Sequence, residues 1–153
     1  MALLAATPKG RMRAVTIPME YRQASADFDR FIVDARDIAA LQTTNQAYTM
    51  VQAVLYTFRR RLDISGALLF AKALPPVLRA IFVADWDLEE PTVPFCERRA
   101  MTREVQAFRG NHNVSPETAI ADVAAALRRN VDETLLDRVL ARLPAGAVDF
   151  WRA

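Results

Sequence analysis

One histidine, one cysteine, a tight run of acids and three groups of arginines are the residues that could do chemistry in this chain. His112 stands in the polar stretch Gly110-Asn111-His112-Asn113. A catalytic base there would need a nucleophile or an orienting carboxylate beside it, and the stretch reads instead as a surface turn. Cys96 follows Phe95 and reads as a small apolar filler of the core. A reactive thiolate would need a lowered pKa, which Arg98 and Arg99, close in sequence, could supply. One histidine and one cysteine cannot build a zinc site. Asp85, Asp87, Glu89 and Glu90 offer oxygen ligands of the kind Ca²⁺ or Mg²⁺ takes. Their spacing lacks the glycine and terminal glutamate of an EF-hand, so a solvated linker is the simpler reading. No glycine-rich phosphate loop is present. The expectation is no catalytic residue, no cofactor and no metal site.

The arginines remain: Arg59-Arg60-Arg61, Arg98-Arg99 and Arg128-Arg129. At the end of a helix such cations favour the dipole and pair locally. Arg59 stands four residues before Asp63, and Arg128 four before Asp132, so each pair is expected to neutralise itself. The sharper alternative is an anion-binding surface made of Arg59, Arg60, Arg128 and Arg129, with Tyr48 and Tyr56 on one helix face adding stacking or simply packing. Basic residues number 20 against 18 acidic ones, a net charge of +2, despite a pI near 9.0. That excess is small for a protein that lives on nucleic acid.

Two of these groups, Arg59-Arg60-Arg61 and Arg128-Arg129, sit within an internal duplication. Residues 44–82 slide onto residues 113–151 without a gap at an offset of 69, the distance from Leu74 to Leu143. Val54 meets Val123, Arg59 meets Arg128, Arg60 meets Arg129, Asp63 meets Asp132, and Leu74-Pro75 meets Leu143-Pro144. Other pairs agree in kind: Val51 with Ile120, Phe58 with Leu127, Leu62 with Val131, Phe82 with Trp151. Repeats of this size are architectural statements. They predict an all-α, compact domain of two tandem, pseudo-symmetric multi-helix repeats joined at Leu-Pro corners.

Helical spacing supports each element. Phe28, Phe31, Ile32 and Ala35 share one face of a helix over 27–38. Ala47, Met50, Val51, Val54, Leu55, Phe58 and Leu62 form the stripe of the next, which Thr43 or Thr44 can cap, with Gln52, Arg59 and Arg60 on its other faces. Ser65 is the expected cap of a third helix ending at Leu74. A residue before proline leaves the α region, while proline suits a helix's first turn, so Leu74-Pro75 and Leu143-Pro144 each predict a corner between two helices. After the first corner a helix is expected from Pro76 to about Ala84, and a shorter one ending near Trp151 after the second. Residues 102–108 read as helical, and Ser115-Pro116-Glu117 as the capped start of another helix. No strand is expected. Residues 1–18 read as a flexible tail in which Met12 and Met19 could each be the start. Residues 19–153 read as one domain: repeat one at about 27–84, a linker at about 85–100, and repeat two at about 101–153.

The frame Tyr21, Phe28, Phe31, Phe58-Arg59-Arg60-Arg61-Leu62 and Ala73-Leu74-Pro75, echoed by Leu127-Arg128-Arg129 and Arg142-Leu143-Pro144, resembles the bacterial family catalogued as domain of unknown function 2267. The resemblance spans Met19 to Trp151. It implies a small helical protein and supplies no catalytic residues. The added N-terminal stretch, and the short Gly146-bearing segment after Leu143-Pro144, depart from its pattern.

Composition bounds the rest. In a chain of 153 residues that is 52% hydrophobic, with 4 Gly, 8 Phe and 2 Trp, a helix-rich core is within reach. Lys9 and Lys72 are the only lysines; the arginine bias fits a GC-rich coding sequence. A single cysteine rules out an intrachain disulfide and fits a reducing, cytoplasmic setting. The N-terminus puts its apolar residues before its basic ones, the reverse of a secretory signal. The most apolar segment, 67–86, holds Lys72, Pro75, Pro76 and Arg79 and cannot cross a bilayer as one helix. The expectation is a non-catalytic cytoplasmic helical module that binds a protein partner or itself. The rivals are a weak nucleic-acid or polyanion binder, and an enzyme whose site forms only in an oligomer.

Overall fold

A computed structural model describes residues 3–6 and 12–153. Among these, residues 19–153 are helical apart from their connections, in nine α-helices and one 3₁₀ turn. The fold is all-α, as expected, except at the start. There β1 (Leu3–Ala6) pairs antiparallel with β2 (Met12–Val15), Leu3 opposite Val15. That corrects the expectation of no strand: four-residue strands are too short to leave a readable period. Residues 1, 2 and 7–11 of the expected tail lie outside the described residues.

Helix α1 (Met19–Arg22) leads into α2 (Ala24–Ile38), which buries Phe31, Ile32 and Ala35. In α3 (Thr44–Arg59) Thr43 accepts from the Gln46 amide while the Gln46 side chain returns to the Thr43 amide. The expected stripe of α3 is buried, but so are Gln52 and Arg59, because α3 is the central helix and is covered by α2, α5 (Pro76–Val83), α6 (Arg98–Ala107) and α7 (Ala119–Asn130). The chain turns into α4 (Ile64–Ala71) through Asp63 rather than Ser65: the Asp63 carboxylate accepts from the Gly66 amide at 2.7 Å. Helix α4 stops at Ala71, three residues short of the expected Leu74. The turn Lys72-Ala73 then brings Leu74, 2% exposed, into the corner, with Pro76 at the first turn of α5.

A coil carries residues 84–97 to α6, which starts four residues before the expected 102. The Val93 amide bonded to the Arg60 carbonyl at 3.0 Å pins this coil. Ser115 does not cap α7. Its amide bonds to Asn113 Oδ1, and the helix begins only at Ala119 after a turn closed by the Pro116 carbonyl. Asp132 caps α8 (Glu133–Ala141) through the Leu135 amide at 3.1 Å, as Asp63 caps α4. Leu143-Pro144 lies between α8 and α9 (Ala147–Phe150), with Leu143 half-buried rather than buried.

The inner contacts cross between the halves: α2 packs on α7 and α6 on α3, while α3 meets α7 and α4 meets α8. The outer helices differ. Helix α5 lies on α2 and α3, whereas the one-turn α9 rests on α8. Aromatic rings fill the centre. Phe58 lies 4.7 Å from Phe70, 5.0 Å from Phe150 and 5.4 Å from Trp151, and Phe70 touches both Phe82 and Trp151. No helix among the described residues is long and apolar enough to cross a membrane.

Candidate functional site

The arginines that sequence placed on a surface are mostly structural. Arg59, 6% exposed, donates through Nη1 to the carbonyls of Phe82 and Ala84, both at 2.8 Å, and so closes the C-terminal end of α5. Arg128 donates through Nε to the Trp151 carbonyl at 2.9 Å, at the end of α9. Donor and acceptor are 23 residues apart in both cases, Arg59 to Phe82 and Arg128 to Trp151. The expected pairs Arg59–Asp63 and Arg128–Asp132 do not form, because both aspartates are taken as helix caps. Arg128 meets Glu133 at 3.6 Å and Asp137 at 3.0 Å instead.

Arg60 is held by Glu90 at 3.1 Å and Glu104 at 3.3 Å. Arg61, which the sequence reading left without a role, is 4% exposed and forms a fork with Glu104: Nη1 to Oε2 and Nη2 to Oε1, both 2.8 Å. These bonds hold the Glu104 carboxyl below its usual range and raise the Arg61 pKa. Arg129 is exposed. The four proposed anion-binding arginines are therefore one buried cap, two ion-paired side chains and one exposed one. Tyr56 accepts from Gln52 and edges onto Phe108, and Tyr48 packs against the core, so both act first as packing residues.

Other expected sites resolve in the same way. Cys96 is exposed, 3.7 Å from Arg61 Nη2, and does not fill the core; Phe95, beside it, takes that place. His112 is exposed within the 3₁₀ turn Gly110–His112. Among the described residues no group of three or more His, Cys, Asp or Glu side chains is arranged to hold a metal ion.

Two concave regions stand out. The first, 400 Å³, lies where the end of α3 and the start of α4 face the interhalf coil; Arg59, Ile64, Trp86, Leu88 and Glu90 are in its walls. The Arg59 guanidinium lies 4.1 Å from the Tyr56 ring and 5.4 Å from the Trp86 ring. Burial lowers its pKa, and its Nε is buried without a hydrogen-bond partner. Ile64, Leu68 and Leu88 are 51%, 59% and 61% exposed, and Leu68 opens onto a neighbouring 760 Å³ groove that reaches Leu143 and shares Asp63 and Ser65 with the first. Sequence reading missed this face. The signal was present, since aliphatic Ile64 and Leu68 stand at the offset of 69 from the acids Glu133 and Asp137.

The second concavity, 410 Å³, lies along α6 and is lined by Arg98, Arg99, Thr102, Arg103, Gln106 and one acid, Glu117. Arg98 donates to the carbonyls of Asp149, Phe150 and Arg152 and ties the C-terminus down. Its pKa is lowered by burial and by the Arg152 charge.

The family model described as "Uncharacterized conserved protein (DUF2267)" matches residues 28–150. No curated protein matches the chain.

Proposed function

The chain belongs to the domain of unknown function 2267 family, and we propose that it is a non-catalytic, cytoplasmic helical module that docks a protein partner on the face around α4. The observation that carries this reading is the run of exposed aliphatic side chains Ile64, Leu68 and Leu88, set around two adjoining concavities. Grouped exposed apolar residues with a polar rim mark interaction surfaces. The sequence duplication supports it too: Asp63 and Asp132 cap α4 and α8 alike, yet of these two helices only α4 carries large exposed aliphatics, Ile64 and Leu68. A photo-crosslinking amino acid at Leu68, with Arg129 as the control position, tests the reading in the native cell. A discrete adduct from position 68 alone is expected; equal adducts from both positions, or none, would sink it. An adduct containing a second copy of the chain would make the partner itself.

A polyanion reading keeps one supporting observation, and it moves to α6. Arg98, Arg99 and Arg103 line a concavity whose only acid is Glu117. Fluorescence anisotropy with duplex DNA and single-stranded RNA at two salt concentrations checks it. Submicromolar binding at physiological salt, lost in Arg99→Gln/Arg103→Gln and falling steeply with salt, would favour it over protein docking.

A further inference from the structure

Arg59 and Arg128 close equivalent corners but are neutralised differently. Arg128 has Glu133 and Asp137 on its guanidinium. At the corresponding positions of the first half stand Ile64 and Leu68, both exposed. Among the described residues no carboxylate comes within 4.0 Å of Arg59. Asp85 and Glu90 act on it from farther off; Glu90 is engaged by Arg60, and Asp63 by the Gly66 amide. The rings of Tyr56 and Trp86 favour a cation but leave its charge in place. A buried charge without a paired anion is costly. This cation also borders an open pocket of 400 Å³, within the size range of ligand sites.

The geometry points to a missing counter-ion: the Arg59 pocket receives a single carboxylate, carried between apolar side chains on a segment of a partner protein. This rests on the docking role proposed above and names its chemistry. One carboxylate fits better than a row of phosphates, because Asp63 and Glu90 share the pocket wall and would repel a second negative charge. The apolar neighbours follow from Ile64 and Leu88 in the pocket wall, with Leu68 in the adjoining groove, which would cover them and exclude water from the ion pair.

The test uses the full chain, selection of displayed peptides, and two double variants. Ile64→Glu with Leu68→Asp gives this half the acids the other half carries. Ile64→Gln with Leu68→Asn removes the same apolar contacts without adding charge. Circular dichroism melts establish that both fold. Peptides selected on the wild-type chain should carry one Asp or Glu among apolar residues, and exchanging that acid for its amide should weaken binding about tenfold or more. The acidic variant should bind them more weakly than the amide variant by a similar factor. Peptides that need no carboxylate, or that bind the acidic variant as well as the wild type, would overturn the pocket assignment and leave the docking role standing. Failure to select any peptide, together with no adduct at position 68, would overturn both. Hexanoate serves as a free-acid probe, followed at the Trp86 indole N–H by NMR. Hexanoate binding abolished in the acidic variant, with no carboxylate-dependent peptide found, would assign the site to a free acid and overturn the partner segment.

Discussion

Arg61 is 4% exposed and carries its charge inward, where the two oxygens of Glu104 and the Thr57 carbonyl meet it. Removing the carboxylate strands that cation. Glu104→Gln is expected to destabilise the fold by about 2–3 kcal/mol in denaturant melts. The pH dependence has a definite sign. The folded-state pKa of Glu104 lies below its usual value of 4.5, so its contribution is complete above about pH 4.5 and is lost as pH falls toward the folded pKa. The wild-type chain should lose this stability below about pH 4.5, and the stability difference between it and Glu104→Gln should shrink there. A difference that stays constant down to pH 3 would show that the fork is not formed. Gly146 carries a second residue-scale prediction. Its φ is +104°, and an added Cβ would stand 2.6 Å from the Phe95 Cβ, so Gly146→Ala should cost about 2 kcal/mol or more by thermal melting. Charge runs were legible in the sequence, but their partners were not. Arg61, in the turn after α3, and Glu104, on α6, are far apart in sequence, and the four-residue spacing of Arg59 and Asp63 pointed to a pair that the demand for a helix cap forbids.

At the scale of elements, the caps and corners are testable one by one. Asp63→Ala and Asp132→Ala should each cost about 1 kcal/mol, since each leaves a first-turn amide without its acceptor. Equal melts to wild type for both would mean that the turns hold without them. Leu74→Ala should cost about 2–5 kcal/mol, as buried leucine truncations do. Leu143, half-buried beside α4 and 3.4 Å from the site of a Cβ at Gly66, should cost nearer 1 kcal/mol. The helices themselves were legible because their apolar spacing and Leu-Pro steps are local signals. Their ends were harder. Ser65 and Ser115 are good cap residues by type, but Asp63 reaches the α4 amide first, and Ser115 is occupied by Asn113. The pairing of β1 with β2 left no sequence trace because each strand spans only four residues.

Across the whole molecule, the offset of 69 pairs residues along the sequence but does not say which helices pack together: α2 lies on α7 and α6 on α3. The aromatic core around Phe58 joins α3 to Phe70 on α4 and to Phe150 and Trp151 at the end of the chain. The candidate site was least legible, because it consists of what one half lacks relative to the other. Its central claim is that Arg59, among the described residues, is a buried cation with no carboxylate in contact while Arg128 has two. Thermal melts at low salt test this most directly. Leu68→Asp, away from the start of α4, and the Ile64→Glu/Leu68→Asp pair should raise Tm by about 2–4 °C, the shift that roughly 1 kcal/mol produces in a chain of this size. The gain should shrink as salt rises, and Glu133→Gln/Asp137→Asn should lower Tm. A fall or no change in Tm on adding the acids beside Arg59, at every salt concentration, would contradict the account.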